Sequence, residues 1–399
     1  MDQQKNQPRY GALVQIATLS VALLMYTTSM TTPALGEIAK AFPNVSGETI
    51  KLIDSIPSLM LCIFSLVSGW LTTKISIKKC IIIASAFIFV GILPAFFGDI
   101  NFILFTRIVF GAGYGMIFPL ASAVVTDLFV GEQRNKLMGW KSAVGAAAGV
   151  LFQLIGGILA VYSWRYVFLG FLVVIPIIIL IYFALPETEV KKVDKSQNKS
   201  VSNGAKKFTN TLYICALVGL LLNTVQFSFM QNMAMFVSAD NIGSAQQAGN
   251  ILSVFTASSF VAGLVYVYFA SISKNYTPAI AILFIGCAFA VGLNANSLIG
   301  FYLSAIIFGI GFGFINPSLT LKAASGVTDK TYTPMAISIY ACSTGIGQFL
   351  SAYVLLFIRN IFNMTSTRAD WQISAITIIL GALIGIVTIF ILNKKQKVK

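Results

Sequence analysis

Two charged side chains, Asp54 and Arg107, stand inside apolar runs of this 399-residue chain. A charge at the centre of a membrane helix costs about 2.5–3.5 kcal/mol on insertion scales, so one that is kept faces a partner or a pathway. Both runs enter from the same side, and at about 1.5 Å per residue the two groups reach similar depth, where they could pair. Asp54 is the candidate proton acceptor, with its protonation governed by burial and by Arg107; a competing reading places it in a wet cluster with Glu48 and Lys51. Arg107 is followed at i+4 and i+7 by Gly111 and Tyr114, which puts a guanidinium, a small residue and an aromatic hydroxyl on one helix face. That face is expected to serve coupling or solute contact. Histidine is absent, so imidazole metal ligands and Ser-His nucleophiles are excluded and any proton traffic must use Asp or Glu. With no cluster of carboxylates for general acid–base work, the chain does not read as an enzyme, and neither a metal nor a cofactor is expected.

Uncharged polar residues recur at helical spacing on several apolar runs. One run carries Gln15, Thr18, Tyr26, Ser29 and Thr32; another carries Asn223, Gln226, Ser228, Gln231 and Asn232 among Met230, Met233 and Met235; a third carries Tyr340, Thr344 and Gln348. Facing lipid, such stripes would leave hydrogen-bonding groups unsatisfied, so they line a cavity or a helix contact. The expected solute-binding set is Tyr26, Ser29, Tyr114, Asn223, Gln226, Met230, Asn316, Tyr340 and Thr344. Thioethers and rings among amides suit a small amphiphilic solute around which they can repack. The C-terminal half carries no acidic residue deep in an apolar run.

The elements that must position these groups are membrane helices. Hydrophobic residues make up 57% of the chain and charged ones 10%, with mean hydropathy +0.85, whereas a soluble domain carries about a quarter charged residues. The formal charge of +14 does not indicate nucleic acid, because the Lys and Arg residues fall between apolar runs rather than on one face. Twelve runs have bilayer-spanning length: 11–35, 49–73, 80–98, 100–126, 140–161, 166–185, 209–236, 247–272, 277–294, 297–321, 334–358 and 371–393. Most Lys and Arg residues then fall on the side of the termini, and six (Lys40, Lys51, Arg107, Arg165, Arg359 and Arg368) fall on the other side or in that half of the spans. Both termini are therefore expected in the cytoplasm. The first run is too long for a cleavable leader and reads as a retained span. The five cysteines (Cys62, Cys80, Cys215, Cys287 and Cys342) lie in or beside apolar runs and read as small packing residues rather than as bridged pairs.

A repeat organises these spans. Phe110–Pro119 and Phe308–Pro317 share the pattern F-G-x-G-[YF]-G-x-I-x-P about half a chain apart. Duplicated bundles with a site between them are a transporter plan. The glycines permit close helix contact, as do Gly145, Gly149, Gly156 and Gly157 in the fifth span. Arg107, three residues before the first copy, has Ala305 as its counterpart. The polar segment 187–208 reads as a linker between an N-terminal bundle, 1–186, and a C-terminal bundle, 209–399. The expected fold is an all-α membrane protein of twelve transmembrane helices in two pseudo-symmetric six-helix bundles.

With these features in place, the chain resembles the major facilitator superfamily, and most closely its bacterial drug:proton antiporter branch. Arg107-x-x-x-Gly111-x-Gly113 is similar to the motif on the family's fourth helix whose arginine is implicated in proton coupling. Gly69 to Lys78 stands where the family's G-x-L-x-D-R-x-G-R-K loop belongs, with Thr73, Ser76 and Ile77 at the places of the Asp, second Gly and later Arg. Thr126-Asp127 through Arg134 looks like the loop between helices 4 and 5, and Leu185-Pro186-Glu187-Thr188 like the end of helix 6. The resemblance implies gating by Gly69, Lys74, Lys78, Asp127 and Arg134, and coupling through Asp54 and Arg107. It further implies proton-coupled export of amphiphilic small molecules or drugs by rocking alternating access, in a monomer of the bacterial plasma membrane with lipids around it. The alternative is a dedicated exporter, symporter or facilitator of an anionic or zwitterionic metabolite.

Overall fold

The computed structural model describes residues 10–187, 208–239, 242–328, 332–366 and 368–397. The linker expected at 187–208 lies outside them apart from Glu187 and Phe208, as do Lys5, Arg9 and Lys399. Twelve apolar elements follow in chain order. They are α1 (Ala12–Leu24, continued past a 52° bend by Thr27–Ala41), α2 (Gly47–Leu71), α3 (Ile77–Ala95), α4 (Ile100–Leu128), α5 (Gly131–Tyr162) and α6 (Trp164–Ala184). The second set is α7 (Asn210–Ala239), α8 (Ala245–Ser273), α9 (Thr277–Leu293), α10 (Leu298–Ser325), α11 (Thr333–Ile361) and α12 (Ala369–Lys397). Ten are single helices long and apolar enough to cross a membrane, α1 is a broken span and α9 is a shorter apolar helix. The fold is the expected all-α one.

Two helices break where the sequence read them as continuous. In α1, Pro33 has no N–H to donate, and the Thr27 and Thr31 hydroxyls bond back to the carbonyls of Leu24 and Thr28. Hydroxyls that compete for backbone acceptors in this way bend a helix; here the chain passes through two 3₁₀ turns before Leu35–Ala41. In α3 the last turns, Val90–Ala95, are 3₁₀ and contain Pro94. The i+3 partner of the Gly91 carbonyl in that geometry is the proline nitrogen, so this oxygen is released for another donor. The span expected from 140 starts instead at Gly131, whose φ of +56° suits glycine; its polar first turns extend the helix beyond the apolar run.

The repeated glycines perform the same packing twice. A methyl group on Gly111 or Gly115 would meet backbone atoms of Pro57 or Leu61 in α2, and one on Gly113 would meet the Ala84 carbonyl in α3. In the second copy Gly309 and Gly313 lie against the Phe255 and Ser259 carbonyls of α8, and Gly311 against Ala281 of α9. Each copy thus sits in one groove between two helices of its own half, as small residues on a membrane helix allow.

The halves meet chiefly along α5 with α8 and α2 with α11, with the second part of α1 against α7. Gly157 approaches the Ala245 carbonyl, Gly249 the Gln153 carbonyl, and Gly345 the Ser58 carbonyl. Here one expectation is overturned: Cys62 and Cys342, 280 residues apart, form a disulfide with Cα atoms 4.6 Å apart. Pairing across two halves has no sequence signature; it arises because α2 and α11 cross at these residues. Cys80 and Cys215 are free and buried, while Cys287 is free but exposed, so packing does not describe it.

Candidate functional site

A cavity of about 730 Å³ lies between the halves. From Asp54 it extends toward the face at which α1 begins, past Tyr26 and Tyr114 to Phe118 and Lys141. The break in α1 is what turns Tyr26, Thr28, Ser29 and Thr32 into this space. Asp54 itself is 5% exposed, and its Oδ1 accepts a hydrogen bond from the Thr31 hydroxyl at 2.9 Å. Opposite, the C-terminal half contributes Met230, Phe255, Thr256, Phe312, Asn316 and Gln348. The Thr256 hydroxyl donates to Gln153 Oε1 at 2.8 Å, which joins α8 to α5 at the cavity wall.

Of the expected solute-binding residues, Tyr26, Ser29, Tyr114, Met230 and Asn316 line this cavity. Asn223, Gln226, Tyr340 and Thr344 do not. The Asn223 amide donates to the Gly219 carbonyl, Gln348 donates to Asn223 Oδ1, and Tyr340 and Thr344 pack on Gly219. Asn223, Tyr340 and Thr344 are thus taken up in the contact between α7 and α11, whereas Gln226 is buried with no partner for its Oε1.

Arg107 and Asp54 are not in contact. Arg107 is fully buried behind the wall and donates through Nη2 to the Gly91 carbonyl released by Pro94, at 3.1 Å. Its guanidinium lies 4.6, 5.1 and 5.2 Å from the ring centres of Phe110, Phe168 and Phe171. Nε and Nη1 have no hydrogen-bond partner. The charge is stabilised by ring faces.

The residues expected to gate lie at the face where α1 begins. Lys74 and Arg134 are exposed, and Gly69 faces open space. Lys78 sits 5.6 Å above the Tyr182 ring; Asp127 is half-buried. Ser76, at the place of the motif's second glycine, caps α3 and donates to Glu187 Oε2 at 2.7 Å.

The far end of the cavity is shut by groups that sequence reasoning had not joined. Lys51 and Asp370, both buried, form an ion pair of 2.6 Å between α2 and α12. Arg359 reaches Glu48 at 2.8 Å and Asp370 at 3.7 Å, Asn232 donates to Asp370, and Gln231 donates to the Lys51 carbonyl. Ser238 adds a bond to Glu37. Asp370 stands in the first turn of α12, at the end of the span rather than deep in it, and is buried by its neighbours, which an apolar run beginning at 371 could not show.

A profile described as Major Facilitator Superfamily matches residues 17–352. The chain is 22% identical over 357 residues to the protein TsgA homolog of Yersinia pestis (strain Pestoides F), covering 86% of each. It is 24% identical over 249 residues to the TsgA homolog of Buchnera aphidicola, covering 61% of this chain and 62% of that one. Among solved structures, the nucleoside transporter NupG superimposes with a TM-score of 0.78 at 14% identity, over 94% of this chain and 99% of that one. A D-xylose-proton symporter gives 0.71 at 14% identity, over 94% and 96%. These structural likenesses carry the fold. Two glycine-matched sets of helices around one central cavity, together with the profile match over most of the chain, make this protein a secondary transporter that belongs to the Major Facilitator Superfamily.

Proposed function

We propose that the chain is a proton-coupled exporter of small amphiphilic molecules, acting as a monomer by rocking its bundles 1–186 and 209–399 about the central cavity, with 187–208 joining them. The observation that carries the reading is that Asp54 is, among the described residues, the only acidic one on the cavity wall, set among Tyr26, Tyr114, Met230 and Phe255. A wall of rings and a thioether accepts the apolar body of a solute, and one carboxylate supplies one proton site. With the basic face cytoplasmic, the cavity opens inward and the Lys51–Asp370 pair closes the outer side. Coupling requires that a proton on Asp54 and a solute in the cavity favour opposite openings, since a ligand shifts such an equilibrium only through its differential affinity for the two states.

The test is transport in proteoliposomes, with a solute chosen by thermal stabilisation of the purified protein against a panel of amphiphiles. Asp54→Asn is expected to abolish accumulation driven by a pH gradient while leaving solute-for-solute exchange intact. Accumulation at the wild-type rate in that variant would remove Asp54 from the mechanism.

A further inference from the structure

Within that cavity, Lys141 and Asp54 are, among the described residues, the only charged side chains on the wall. Lys141 projects from α5 one turn from Gly145 and two from Gly149, the residues on which the Tyr26 ring rests. Its ammonium donates to the Ser122 hydroxyl at 2.6 Å, and among the described residues no carboxylate lies within ion-pair distance of it. The other lysines near the seam are compensated: Lys51 by Asp370 and Lys40 by Glu37. A hydroxyl orients an ammonium but does not neutralise it, and a half-buried cation without a countercharge is costly inside a membrane protein. Arg107 cannot take up a charged group of a solute, because the wall covers it completely.

We infer that the solute supplies the missing countercharge, so that Lys141 is an anion-docking site and the transported class is amphiphilic organic monoanions, with an aromatic carboxylate as the simplest member. The Tyr26 and Tyr114 rings, on the path between Lys141 and Asp54, take the apolar body. Asp54 in the same cavity disfavours a second negative charge on the solute. The inference rests on the reading of the cavity as the solute site.

The experiment uses four indoles of similar shape, indole-3-acetate, indole-3-acetamide, tryptamine and tryptophan, and reads thermal unfolding of the full-length protein in neutral detergent. Indole-3-acetate is expected to raise Tm, and the amide and the amine are not. Lys141→Gln should weaken the acetate effect roughly 10- to 100-fold in ligand concentration, the worth of a charge-assisted hydrogen bond, while Lys141→Arg retains it. Without ligand, Lys141→Gln should unfold at or above the wild-type temperature, because it removes an uncompensated charge; a purely structural lysine would instead lose stability. Equal stabilisation by acetate, amide and amine, or an acetate effect untouched in Lys141→Gln, would overturn the anion site and leave the cavity as a neutral solute site. No shift with any of the four would count against the cavity reading itself.

Discussion

Arg107 occupies a niche that a guanidinium fills and an ammonium does not. A planar cation can lie against Phe110, Phe168 and Phe171 while one nitrogen reaches the Gly91 carbonyl, whereas lysine is a compact, strongly hydrated charge. Arg107→Lys is therefore expected to lose about 1–3 kcal/mol through the ring contacts and the charge-assisted hydrogen bond, read as a lower Tm with unchanged cavity binding of a stabilising ligand. The burial of Asp54 and Arg107 was legible in the sequence as charge inside apolar runs. Their separation was not, because it depends on a carbonyl set free by Pro94 in a neighbouring helix. The polar stripe on α7 was equally ambiguous: spacing identifies a face that avoids lipid, but whether Asn223 or Met230 meets solute is decided by where α11 packs.

At the level of helices, the repeated glycines were the most readable feature, and their equivalence can be measured. Gly113→Val and Gly311→Val force side-chain atoms against backbone of the adjoining helix, the Ala84 carbonyl in one half and the Ala281 carbonyl in the other. Each should cost about 1–3 kcal/mol, as overpacking does, and the two losses of Tm should be similar. Gly69→Ala and Gly139→Ala, whose new methyl groups meet nothing, should be neutral or gain up to about 1 kcal/mol from helix propensity. A large loss at Gly69 would mean that it touches another part of the chain in a second conformation. The break in α1 was written in the sequence as hydroxyls around Pro33, yet an apolar run reads straight through such residues, since hydropathy does not register competition for backbone acceptors.

For the whole molecule, the buried Lys51–Asp370 pair ties the two halves together at the closed end of the cavity. Lys51→Ala leaves a buried carboxylate with the 3.7 Å approach of Arg359 and the Asn232 amide as its remaining partners, and breaking a buried pair in this way costs about 3–5 kcal/mol. That loss falls on the conformation described here, so labelling of a cysteine placed near Glu48 by a membrane-impermeant reagent should accelerate in Lys51→Ala and return toward wild type in Lys51→Met combined with Asp370→Leu. Sequence could not show this closure, because its members come from α2, α7, α11 and α12 and meet only when the halves dock. The Cys62–Cys342 bond joins the same two halves by a different means. It turns the chain between those residues into a closed ring, so a protease site inserted between Leu185 and Phe208 would, once cut, yield two fragments that still migrate as one species in denaturing electrophoresis. A reductant would part them, and any fraction that parts without one counts the molecules in which the two halves are held by noncovalent contacts alone.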